Sequence, residues 1–461
     1  MKNKAVDSHA VAAAGTFSVN VNLARVLRPC LRHVFDMEVA PTTSSGAGPR
    51  LRARCVVMAL AASIGSLTSL AHAADGSAPA GKVFGQLRYR YELVNQEGIA
   101  SKAKASTLRT QLGYDTENYR GFGALLQFED VHAIGRERYN STVNGATQYP
   151  VVADPESTEI NQAYLRYVGL PATTLRVGRQ AITYDNHRFI GDVGWRQNQQ
   201  TYDAATLVNT AIADTTFSYA HVTNVNRIFG ENHPTLSDVE IRGDFLNVAY
   251  KGMPAGTLVG YGYFIDFEPG QPFATTASNK TLGLRFDGAT TAAGRKWLYT
   301  AEYAKQSDYA DGSGTVDADY LSAVFGVDLA GVQLKLGYEL LSGDGTYALQ
   351  TPFATLHAHN GWADKFLVTP TDGLVDTTAS IGGSVAGVNL LAVYHDYTSD
   401  NLDYAYGKEL NLLAAWKLTK QLTLLAKYAD YRGDDNGTNL ARNSLLARDI
   451  TKPWLQADYL F

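Results

Sequence analysis

From residue 83 to its end, this 461-residue chain runs in segments of about ten residues whose side chains alternate in polarity. That period constrains the fold more than anything else in the sequence. A strand sends successive side chains to opposite faces, so each segment owns one apolar and one polar surface. Roughly ten residues are also what a tilted strand needs to cross a bilayer. In the first segment Leu87, Tyr89, Tyr91 and Leu93 share one face, and Gln86, Arg88, Arg90 and Glu92 the other. The second sets Leu108, Leu112 and Tyr114 against Arg109, Gln111 and Asp115. The stretches from Phe122 to Phe128, Leu282 to Phe286, Leu334 to Leu340 and Leu410 to Trp416 repeat the pattern.

The connections are sorted by length. Short turns fall at Thr116–Tyr119, Gly169–Ala172, Ala211–Asp214, Gly252–Gly256, Ala330–Gly331, Ala386–Gly387 and Thr419–Gln421. Between them stand long polar loops at Ile134–Thr158, Asp185–Gln199, Asn226–Glu240, Gly343–Thr371 and Arg432–Arg448. A soluble sandwich has no reason to sort its loops this way, whereas outer-membrane barrels join their strands by short periplasmic turns and longer extracellular loops. Lipid offers no hydrogen-bond partner, so strands in a bilayer must close on themselves. The sequence therefore predicts an all-β transmembrane antiparallel barrel of about 18 strands over residues 83–461, with both termini in the periplasm. The last segment agrees, with Leu455, Ala457, Tyr459 and Phe461 on one face and the chain ending on an aromatic. Tyr459 and Phe461 are the expected signal for the outer-membrane insertion machinery.

Residues 50–73 read as a secretory signal. Arg50, Arg52 and Arg54 precede an apolar run from Val56 to Leu70, and Ala71-His72-Ala73 has the small-x-small form of a cleavage site. Residues 74–82 would be a short periplasmic segment. Residues 1–49 are mildly basic and lack periodicity. They are expected to be an over-extended start, with Met37 or Met58 the true one, or else a long n-region. Both cysteines, Cys30 and Cys55, precede the cleavage site, which leaves no thiolate metal site, disulfide framework or Cys nucleophile beyond it. Of 40 Lys+Arg and 45 Asp+Glu, 8 and 3 respectively lie before residue 74, so the remainder carries a balance of −10. An acidic secreted chain argues against nucleic acid as a partner.

The polar faces hold the candidate site. Arg88, Arg90, Arg109, Arg166, Arg176, Arg179, Arg285 and Lys335 are expected to line the lumen. Glu92, Asp115, Glu129, Asp203, Glu302, Glu339 and Asp344 are expected to brace or gate it. Guanidinium groups grip carboxylates in a bidentate fork, and rings of basic residues select anions. The same charges could instead keep the wall wet and cross-brace it through ion pairs. His357 and His359, at i and i+2 in a loop, are weak metal candidates, and the acidic loops at 308–319 and 433–439 lack a complete calcium-ligand pattern. No G-x-S-x-G, P-loop or HExxH occurs. No cofactor is expected, and a barrel enzyme acting on lipid is the remote alternative.

Several short stretches resemble the alginate export family of outer-membrane porins. They are Gln162-Ala163-Tyr164-Leu165, Gly178-Arg179-Gln180, Asp185 through Gly191, Gly337 through Asp344, His359 through Phe366, Tyr394-His395-Asp396-Tyr397 and Tyr406 through Leu410. The resemblance covers nearly all of the chain beyond the signal. It implies an 18-stranded monomeric barrel whose electropositive lumen passes an anionic polyuronate outward, with Arg179, Glu339 and Asp344 in the matched stretches. The expected function is a passive channel for alginate or a similar acidic polysaccharide, and the alternative is uptake of small organic acids or oligouronates. Outer-membrane lipid, lipopolysaccharide and a periplasmic export complex are the remaining expected partners.

Overall fold

The computed structural model describes residues 81–271 and 278–461, so the secretory signal and the segment ahead of it lie outside the described residues. The first six strands are β1 (Lys82–Gln96), β2 (Ala103–Asp115), β3 (Phe122–Ala133), β4 (Ser157–Tyr167), β5 (Thr173–Gln180) and β6 (Thr201–Asn209). Then come β7 (Thr215–Asn226), β8 (Asp238–Met253), β9 (Gly256–Phe267), β10 (Asn279–Ala292), β11 (Arg295–Asp308) and β12 (Asp317–Leu329). The last are β13 (Val332–Leu341), β14 (Leu374–Val385), β15 (Val388–Thr398), β16 (Ala405–Lys417), β17 (Leu422–Gly433) and β18 (Ile450–Leu460). Each strand pairs antiparallel with its sequence neighbours, and β18 returns to β1 with Tyr459 opposite Leu87. Phe461 and Gly85 exchange backbone hydrogen bonds of 3.0 and 3.1 Å, which carries the seam to the final residue. The result is a closed 18-stranded antiparallel barrel without a free sheet edge, as a bilayer requires.

The alternation read from the sequence sets the two faces of the wall. On β1, Leu87 and Tyr89 point outward while Arg90 and Glu92 are buried inside. Outside, aliphatic side chains such as Leu284 and Leu336 form a lipid-facing belt. Aromatics gather near the short-turn end, where Phe122 meets Tyr167, Trp297 stacks on Phe325, and Tyr459 stacks on Phe461. Rings with an apolar body and a polar edge suit the membrane interface. The turns are tight for a local reason: Ala330-Gly331 and Ala386-Gly387 have positive φ at both residues, the conformation of a two-residue hairpin. Ala293-Gly294 makes a third such turn, between β10 and β11, which the sequence reading passed over.

The opposite end carries the long connections. One includes a single short helix, α1 (Gly437–Asn443), whose N-terminus is capped by the Asn436 side chain accepting from the Asn439 amide at 2.9 Å. Two of these connections, 181–200 between β5 and β6 and 342–373 between β13 and β14, turn inward and occupy the lumen.

Candidate solute path through the lumen

The two inward loops contain apolar and aromatic residues that a solvated loop has no use for. Phe189 packs on Tyr261, Tyr263 and Tyr320 of the wall, and Phe366 on Tyr397, Tyr406 and Tyr431. The loops also hold each other. The Gly191 amide donates to Phe353 O at 2.8 Å, and Thr355 N donates to His187 O at 3.0 Å. Gly361, with φ near +86°, lets the second loop lie directly on the wall, because a Cβ there would collide with Tyr397 and Glu409.

Where the loops meet β1, β17 and β18, the charges are closely matched. Arg196 reaches Asp364 at 2.9 Å, Glu92 at 3.4 Å and Asp154 at 3.9 Å. Lys452 reaches the same Asp364 oxygen at 2.8 Å. Burial alone would raise the Asp364 carboxyl, yet Lys452, His357 and Arg196 together hold it well below the usual carboxylate range. Lys427 sits over the rings of Trp195 and Trp362, 4.0 and 3.8 Å from their centroids. Its ammonium donates to His357 Nε2 at 2.7 Å, so Nδ1 carries the proton given to Asp364 at 2.7 Å. Burial, and then Lys427, hold the His357 imidazole neutral, well below its ordinary pKa.

The expected lumen bases divide into two groups. Those in the loop-filled half are spoken for. Arg88 bonds Asp458 at 2.7 Å and Gly194 O at 2.7 Å. Arg90 lies over Trp195, donates to its carbonyl, and faces Asp154 at 3.6 Å. Arg109 donates to Gln86 at 2.6 Å and lies 4.0 Å from Glu129. Glu129 accepts from Gln111 and from the loop amide of Gln199. Arg285 is held by Asp287 and by Glu302 at 2.6 Å, and Glu339 by Arg188 at 2.9 Å and Tyr320. Nearer the short turns, Arg166 pairs with Asp115 at 3.1 Å. Arg176, facing Arg166 across the ladder, and Lys335 on β13 have no carboxylate partner among the described residues. Both point inward.

Three expected lumen residues stand elsewhere. Arg179 and Asp203 form an ion pair of 2.9 Å on the outer face of β5 and β6, level with the long-loop end. Their ladder neighbours on that face, Val177 and Leu165, are 61% and 66% exposed toward lipid. The reason is the strand period: Arg176 and Arg179 are three residues apart, so one regular strand cannot send both inward. His221–Asp244 and Arg242–Asp266 continue the same outer rim. Asp344 is exposed and caps a turn of loop 342–373, accepting from the amides of Thr346 and Tyr347 at 2.7 and 2.8 Å.

The sequence reading missed Trp195, Arg196, Asp364, Lys427 and Lys452, and named His357 only as a weak metal candidate. The signal was present in part, since two of the motif stretches, Asp185 through Gly191 and His359 through Phe366, are the segments that enter the lumen. Arg188 of the first donates to Asn360 of the second at 3.1 Å.

The family model for alginate export matches residues 81–452. The chain belongs to the alginate export family. Solved structures share the fold of this family member at low identity. OccAB4 of Acinetobacter baumannii superposes with a TM-score of 0.64 and 14% identity, over 83% of this chain and 98% of that one. OccK5 (OpdH) of Pseudomonas aeruginosa gives 0.61 and 12%, over 84% and 99%. OpdK of Pseudomonas aeruginosa, in a structure with vanillate, gives 0.58 and 10%, over 82% and 98%. No curated protein sequence matches this family member. Family and fold are those of outer-membrane channels, which are not enzymes.

Proposed function

We propose that this outer-membrane channel passes carboxylate-bearing solutes by passive diffusion, as small organic acids or short oligouronates in single file. The observation that carries the reading is the pairing of two inward loops with a basic wall. The loops narrow the lumen, and Arg176 and Lys335 beyond them offer positive charge that no carboxylate of the wall neutralises. Binding at such a point is weak enough to release, as flux demands. The vanillate in the OpdK structure is a carboxylate of the size this reading favours. Family membership favours a second reading, a polyuronate such as alginate threading outward, which requires loops 181–200 and 342–373 to swing clear of the lumen.

Single-channel currents in a planar bilayer under a salt gradient test the proposal. Anion preference and a concentration-dependent fall in current with small carboxylates are expected. Clear cation preference would overturn it. Interruption of the current by long polyuronate chains, with small acids inert, would decide for the second reading.

A further inference from the structure

A cavity of about 500 Å³ opens at the long-loop end, directly above the meeting point of the inward loops. Its depth is basic. Arg196, Arg227, Lys365 and Lys452 line it against a single carboxylate, Asp364. Arg196 and Lys452 already share that carboxylate, as described above. Arg227, the first residue past β7, differs from them. It has no carboxylate partner among the described residues, and its Nε is sealed from solvent without a hydrogen-bond partner. Burial pulls its pKa below the ordinary guanidinium value. A half-buried cation without a carboxylate is costly, and a bound anion is the group that would relieve it. Lys365 stands in the same cavity, its ammonium donating to the carbonyls of Leu445 and Arg448 at 2.6 and 2.8 Å, with no carboxylate partner among the described residues.

The mouth of the cavity is apolar. Leu367 and Val368 of loop 342–373 and Leu445 beyond α1 stand 45%, 70% and 63% exposed, and Ile228 and Phe229 continue the apolar wall inward beside Arg227. Exposed aliphatic side chains around one opening, above unpaired cations, match a solute that is apolar at one end and anionic at the other. A polyuronate, hydroxylated on every ring, would gain nothing from that rim.

We infer that this vestibule is an entry site for monocarboxylates with an apolar body, in which Arg227 grips the carboxylate and the Leu367–Val368 rim shelters the hydrocarbon. The site rests on the channel reading above and gives it a preference among carboxylates. A guanidinium takes a carboxylate bidentately. Losing one such charge-assisted pair is worth about tenfold in affinity.

Benzoate and glucuronate carry equal charge and serve as probes, added in turn to each side of a bilayer holding the full-length barrel. Benzoate added on the long-loop side is expected to reduce current at concentrations where glucuronate does not. Arg227→Gln is expected to weaken benzoate block about tenfold, and Arg227→Lys to retain much of it. Leu367→Ser with Val368→Ser, both on the surface, is expected to weaken benzoate block and leave glucuronate unchanged. If Arg227→Gln does not assemble, the Leu367/Val368 pair carries the test. Equal block by the two probes, or benzoate block unaltered by these variants, overturns the site. A cation-preferring unmodified channel overturns the channel reading instead, so the two failures are separate.

Discussion

The two halves of the lumen are built from the same strands and opposite electrostatic rules. Toward the long loops, nearly every inward base meets a carboxylate or a loop carbonyl: Arg196 with Asp364 and Glu92, Arg188 with Glu339, Arg88 with Asp458 and Gly194. Toward the short turns, Arg176, lying over the Tyr164 ring, and Lys335 have no such partner among the described residues. Positive charge therefore does two jobs in one barrel. Where protein fills the lumen it fastens loops to the wall, since a dry charge must be paired. Where water fills the lumen, charge can stay unpaired and act on a passing solute.

The comparison breaks hardest at Asp364. Replacing it with Asn removes the charge that Arg196 and Lys452 share, and leaves one carbonyl oxygen where two carboxylate oxygens served Arg196, Lys452 and His357. Removing one partner of a buried ion pair costs about 3–5 kcal/mol. Loops 181–200 and 342–373 should loosen together, seen as raised single-channel conductance and as protease cleavage within 342–373 in a barrel that still assembles. Unchanged conductance and protection would mean that the aromatic anchors alone hold the loops.

The water-filled half gives a smaller effect. A unit charge about 4 Å from an ion in water is worth about 1 kcal/mol, a factor of about five in local anion occupancy. Arg176→Gln with Lys335→Gln should lower the anion preference by up to that factor, read as a shift in reversal potential. A matched change at Arg88, already neutralised by Asp458, should shift it less.

The vestibule adds a dependence on pH. Burial, and then Lys452, pull the Lys365 ammonium down to about 8; Asp449 and Glu409 oppose the shift, Arg448 adds to it, and the Tyr431 ring lies 4.9 Å away. A group whose charged form is disfavoured by folding loses its proton at lower pH than the free side chain. Lys365 is therefore cationic below pH 8 and neutral above it. Benzoate block should weaken as pH rises from 7 to 9, and block that strengthens over that range would contradict the assignment.

The smallest effect belongs to Arg179. It is a half-exposed outer-rim residue paired with Asp203, and exposed pairs contribute about 0–1 kcal/mol. Arg179→Gln should leave conductance and reversal potential unchanged. A changed ion preference would return Arg179 to the solute path.

Much of this was legible along the chain. Leu87/Tyr89 against Arg88/Arg90 gave the inside and outside of β1, and the sorting of short from long connections gave the count and closure of strands. Arg179 shows where careful counting would have gone further, because its spacing from Arg176 already forbade a shared face. Other features were not recoverable by counting. Asp344 looked like a lumen acid until its loop was seen to turn back and use the carboxylate as a cap. Nothing in the spacing of Arg196, His357, Asp364, Lys427 and Lys452, spread over some 250 residues, brings them to one point.

The sequence by itself determined the closed wall and its two faces, because side-chain alternation is a local property of every strand and a bilayer tolerates no open edge. Only the tertiary structure decided which bases are free and which are consumed. That depends on how far two loops reach into the lumen, and their path is set by rings and charges on strands distant in sequence.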